Sequence, residues 1–133
     1  MVTVEGSASF KRIITRALLN LKQCDLVAKR IIERSRTYNV ATANEKTGVI
    51  AINLHELTAR QKRDLDLVAS IIVHEDHHLR QGPVNDENRV RIERAAYRKQ
   101  VRYLEAVGNR KLACHIRTVG RDNIMEEARI TYI

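Results

Sequence analysis

The chain has 133 residues, 44% of them hydrophobic and 30% charged, with a net charge of +8. That length supports one domain with a real core, and the composition is not that of a disordered chain. No apolar run reaches the ~18 residues of a membrane span, and the N-terminus lacks the charged, apolar, small-residue order of a signal peptide, so a cytoplasmic domain with no membrane partner is expected. Cys24 and Cys114 stand far apart with no C-x-x-C spacing. A structural zinc cluster of thiolates is therefore not indicated, and reduced, buried thiols are expected.

Phe10, Ile13, Ile14, Ala17, Leu18 and Leu21 recur at helical spacing, and Leu26, Val27, Ile31 and Ile32 continue it. The pattern predicts one long helix, or two joined near Gln23 to Asp25 with Asp25 as the second N-cap. Lys11, Arg12, Arg16, Lys22, Lys29, Arg30 and Arg34 cover the other side as a solvated face. From Thr37 the period changes. The segments 38–42 and 48–54 are rich in β-formers and flank Ala43 to Thr47, which predicts a hairpin with a loop of about five residues. In the second strand Ile50, Ile52 and Leu54 share one face.

Thr58 with Gln61 resembles a capping box, so a helix is predicted from near Ala59 to Gln81, stopped by Gly82-Pro83. It carries His74-Glu75-Asp76-His77-His78, an H-E-x-x-H pattern. Two histidines four apart stand on one helical face within a turn of each other, so both imidazoles can reach one tetrahedral zinc. On the helical wheel Glu75 lies about 100° from His74, between Ile71 and Val68, inside the apolar stripe. A carboxylate there costs several kcal/mol unless a charged or hydrogen-bonding group meets it, and a metal with its water is such a partner. Asp76 and His77 point away from this stripe and read as solvated surface.

Asn85 or Asp86 can cap the next helix, predicted from Glu87 to Val107 and ended by Gly108-Asn109. Val90, Tyr97, Val101 and Leu104 lie to one side of Glu93, Ala96, Tyr103 and Val107 to the other, so Glu93 occupies the middle of the apolar face. It too needs a charged partner. Glu87 and Glu105 are explained by pairing in water with the arginines of the outer face. Residues 110–133 predict one or two short helices with a break at Gly120.

The short connection after Gly82 makes the two long helices neighbours and can bring Glu93 opposite His74 and His78. Two imidazoles and one carboxylate leave a fourth position for water, as catalytic zinc requires. On these residues, Ile72 to His78 and Glu93 to Gln100, the chain resembles the zincins of the gluzincin kind, the minigluzincin-like metallopeptidases. Those pair H-E-x-x-H on one helix with a ligand glutamate followed by a small residue on the next. The order of helix, hairpin, H-E-x-x-H helix and glutamate helix is similar from Phe10 to Val107.

The resemblance implies an α+β, mostly helical, zincin-like minimal domain with a small hairpin packed on the two site helices. It implies one zinc ion on His74, His78 and Glu93, with Glu75 as general base for a water attacking a peptide carbonyl of a peptide or protein substrate. The strand of residues 48–54 resembles the family's substrate-side edge strand. Tyr97 would stabilise the oxyanion, or else His115; Tyr97 also reads as core, and His115 as surface or core. Iron enzymes use a similar ligand set, but helical i,i+4 spacing beside a glutamate favours zinc.

Two readings from other classes stay open. One is a nucleic-acid-binding module using the arginine-rich face of the Glu87–Val107 helix, although no helix-turn-helix or zinc-finger spacing occurs. The other is a metal-stabilised binding or effector protein without turnover, against which the intact Glu75 argues.

Overall fold

A computed structural model describes residues 2–35 and 39–132, and the side chains of these up to residue 126. It is an α+β structure with helices predominant. Strand β1 (Thr3–Glu5) leads into helix α1 (Ala8–Asn20), which Ser7 caps by accepting from the Phe10 amide at 3.2 Å. Strand β2 (Arg30–Glu33) follows, then the hairpin β3 (Ala41–Asn44) and β4 (Val49–Ile52). The sheet order is β1-β2-β4-β3, with the first two pairings parallel and the hairpin antiparallel. Parallel neighbours need a crossover, and α1 supplies it between β1 and β2.

The predicted helix therefore stops at Asn20, and its expected continuation through Leu26 to Ile32 is a loop and β2 instead. Ile31 stands beside Ile50 in the sheet, where a β-branched side chain packs well on the pleated surface. The hairpin is where it was expected, but its turn is tighter: Asn44 accepts from Gly48, whose φ of 71° suits a residue without Cβ. Thr37 and Tyr38 of the predicted strand region lie outside the described residues. The expected edge strand is also corrected. β4 is paired on both sides, and the edges are β1 and, beside β4, β3.

After β4 a single 3-10 turn leads to helix α2 (Ala59–Arg63), begun by the predicted capping box of Thr58 and Gln61. The predicted Ala59–Gln81 helix is divided at Asp64, an extended residue whose carboxylate accepts from the Leu67 amide at 3.2 Å and restarts the chain as helix α3 (Leu65–Gln81). Gly82, with φ 75°, ends it. Helix α4 (Arg89–Ala106) runs beside α3, and helix α5 (Arg110–Tyr132) beside α4. Contrary to expectation, Gly120 does not break α5. A Cβ there would sit 2.7 Å from Cγ of Tyr97, so the glycine lets two helices approach closely.

Ile14 and Phe10 of α1, Ile31 and Ile50 of the sheet, and Val68 and Ile72 of α3 form the larger core. Leu67, Val101, Leu104, Ala113 and Ile116 lock α3, α4 and α5 together. The two helices that carry His74, His78 and Glu93 are thus each held on two sides.

Candidate metal centre

The centre is built on the facing sides of α3 and α4. His74 and His78 stand one turn apart with ring centroids 5.2 Å from each other. Glu93, on α4, spans both: Oε1 lies 2.6 Å from His74 Nε2, and Oε2 lies 3.2 Å from His78 Nε2. The three ligand atoms fall within 4.8 Å of one another, an arrangement that could hold a metal ion. The donors suit a divalent first-row metal, since two imidazole nitrogens and a carboxylate oxygen are matched to zinc and its neighbours.

A buried chain of hydrogen bonds prepares His74 for this. The Ser70 hydroxyl donates to the Leu67 carbonyl at 2.8 Å, so its oxygen accepts from Nε2 of Gln100 at 3.0 Å. This turns Oε1 of Gln100 toward His74 Nδ1, 2.9 Å away. An amide oxygen only accepts, so Nδ1 donates to it, and Nε2, the atom facing Glu93, is the ring nitrogen left to bind a metal. Tyr97 packs edge-on against the same ring at 4.5 Å, and its hydroxyl accepts from Asn123 at 2.7 Å.

Electrostatics follow from the same contacts. Burial alone would raise the Glu93 carboxyl, but hydrogen bonds and charge from His74 and His78 prevail and hold it at about 2. Burial would lower His78, yet the hydrogen bond and charge of Glu93, with Glu75 behind it, move it above its ordinary value. Glu75 behaves oppositely to Glu93. Desolvation raises its carboxyl above the usual range, the two histidines offset only part of this, and Glu93 adds to it. Its carboxylate makes no hydrogen bond or ion pair among the described residues.

All of these groups open into one cavity of about 870 Å³, lined by His74, Glu75, His78, Glu93, Tyr97 and Gln100. Ala41 and Thr42 of the edge strand β3 form another wall. His115, expected at the surface or in the core, is exposed at the cavity's rim.

Two expectations for this helix are overturned. Asp76 is not solvated: it is 2% exposed, and one of its oxygens accepts from the amides of Val27 and Ala28 at 2.9 and 2.8 Å while the other meets Arg80. It ties α3 to the segment entering β2. His77 is half-buried, with both ring nitrogens enclosed and without a hydrogen-bond partner among the described residues. Burial, then the charge of Lys99, lowers its pKa.

Gln100 and Ser70 are the functional-site residues that sequence reasoning missed. The signal for Gln100 was present, since seven residues after Glu93 is a rotation of only about −20° and puts an amide on the same apolar face. Ser70 lies one turn before His74 on α3. No family model, curated protein or solved structure matches the chain.

Proposed function

We propose that the protein is a zinc-dependent metallopeptidase built as a minimal gluzincin. The observation that carries the reading is the position of Glu75: a desolvated carboxylate without a partner among the described residues, lining the same cavity as a three-residue metal-ligand set. A purely structural metal site would have no use for such a group. The order of α1, the β3–β4 hairpin, α3 and α4 also agrees with the order that the resemblance implies.

His74, His78 and Glu93 would hold the ion. Bound zinc supplies Lewis acidity toward a water and a carbonyl oxygen. The chain's own groups do the rest. Gln100 and the Tyr97 ring fix the orientation and tautomer of His74. Glu75, which lines the same cavity beside the proposed ligands, would take a proton from the attacking water and pass it to the leaving amine. The Tyr97 hydroxyl is assigned to the developing oxyanion. Along the edge strand β3, the backbone of an extended peptide would add as a further strand and cross the cavity.

Elemental analysis of the purified protein, beside Glu93→Ala, tests the ligand set: about one zinc per chain, strongly reduced in the variant, is expected. Glu75→Gln should keep its metal and lose hydrolysis of a peptide library, because that residue handles the proton and is not a ligand. Absence of zinc after the metal is supplied would sink the centre. Cleavage of no peptide by zinc-loaded protein would sink the peptidase and leave a metal-stabilised binding protein.

A further inference from the structure

A second cavity, of about 430 Å³, lies between α4 and α5 and touches the first only through Tyr97, which lines both. Its composition is unlike that of the metal centre. Arg94, Arg98 and Arg102 follow one another at every fourth position of α4, and Arg117 and Arg121 face them from α5. Glu105 is the one carboxylate among the described lining residues and is met by Arg117 at 3.5 Å, while Arg121 lies 3.7 Å from Asp122 outside the cavity. Arg94, Arg98 and Arg102 form no ion pair among the described residues. Between these rims the floor is apolar: Val101 and Ile124 are buried, and Met125 is 65% exposed.

We propose that this groove binds an acidic segment of a partner protein that carries an apolar side chain between its carboxylates. Both halves of the groove are used by such a ligand. Guanidinium groups pair with carboxylates in fork geometry. An aliphatic side chain laid on Val101, Ile124 and Met125 would be removed from water, and covering Met125 would remove an exposed apolar side chain from the surface. A nucleic acid matches only the rims. Its phosphates would meet the arginines, but Val101 and Ile124 give a backbone phosphate nothing, and the one aromatic ring among the groove's described residues, Tyr97, is turned edge-on to His74 and not offered to a base. The chain's net charge of +8 adds a general attraction for an acidic partner. The inference stands independently of the metal reading, because none of the five arginines is a proposed ligand or acts on the reacting atoms.

The test uses the full chain and two fluorescently labelled peptides, one with leucine between runs of glutamate and aspartate and one with that leucine replaced by serine. A short single-stranded RNA and a short DNA duplex serve as competitors, with binding read by anisotropy at low and physiological salt. The leucine peptide is expected to bind and the serine peptide to bind about tenfold more weakly. The double variant Arg98→Glu/Arg121→Glu reverses two exposed charges and should weaken the leucine peptide by about tenfold or more, with thermal stability and metal content unchanged. Unchanged affinity in the double variant, indifference to the leucine, or failure of the peptide to bind at low salt would each overturn the proposal. Displacement of the peptide by RNA or DNA that binds more tightly would also overturn it, in favour of a nucleic-acid surface.

Discussion

Replacing Gln100 by leucine removes a side chain that is 4% exposed and keeps nearly its volume, so the change acts on hydrogen bonding and not on packing. Two bonds disappear, the one at 2.9 Å to His74 Nδ1 and the one at 3.0 Å to Ser70 Oγ. The Ser70 hydroxyl keeps its bond to the Leu67 carbonyl, so the group left without a partner is the Nδ1–H of a histidine that is 7% exposed. An orphaned buried donor costs ~1–3 kcal/mol. Once nothing accepts from Nδ1, the imidazole can carry its proton on Nε2 instead, which blocks the lone pair a metal needs. Loss of such an orienting partner lowers metal affinity by about 10–100-fold, or ~1.4–2.7 kcal/mol, in line with the first figure. Competition with a chromophoric zinc chelator measures it directly, with one-to-one stoichiometry expected to persist. Gln100→Glu restores an acceptor opposite Nδ1 and should keep affinity within a few-fold of the native protein. If Gln100→Leu binds zinc as tightly as the native chain while Glu93→Ala does not bind it, the tautomer argument is refuted.

Three further outcomes are expected. Asp76→Ala orphans the amides of Val27 and Ala28 and should lower stability by about 3 kcal/mol in urea denaturation, with zinc affinity changed little; an unaltered midpoint would show that water replaces the carboxylate. In the metal-free protein, the lowered Glu93 contributes stability above its ordinary value of 4.5 that is lost as pH falls toward about 2, and the raised His78 contributes stability below 6.5 that is lost as pH climbs through its folded value. Melting temperature without metal should therefore peak between these values, whereas zinc affinity should keep rising past neutrality because the ion displaces the histidine proton; a metal-free protein most stable at alkaline pH would contradict the contacts drawn here. Gly120→Ala forces a methyl to within 2.7 Å of the Tyr97 ring and should cost ~1–3 kcal/mol, visible as a lower melting temperature, while a neutral result would mean that α4 and α5 separate freely.

What could be read from the residues alone follows a physical division. α3 and α4 were legible because each is long and periodic, and because Glu75 and Glu93 interrupt otherwise apolar faces, a local conflict that only a partner from elsewhere resolves. The same conflict at Gln100 was visible by the same rule, but an amide on a buried face costs less than a carboxylate and so attracts less notice. β2 was not legible, since Leu26, Val27, Ile31 and Ile32 fit a helical period as well as a strand. What decides it is pairing with β1 on one side and β4 on the other, contacts that no local window contains. Asp76 shows the same limit. On the wheel of α3 it points to the side that an isolated helix gives to water, yet the backbone of Val27 and Ala28 lies there. Its position has a consequence for the centre, because Asp76 falls within the H-E-x-x-H segment and anchors α3 from the side opposite Gln100. The rotation of α3 that presents His74 and His78 to Glu93 is thus held by its own carboxylate bound to the entry of the sheet on one side and by an amide from α4 on the other. A weakened Asp76 anchor should be felt first as lost stability, and a weakened Gln100 bond first as lost metal affinity, which is why the two substitutions separate the folding of the site from its chemistry.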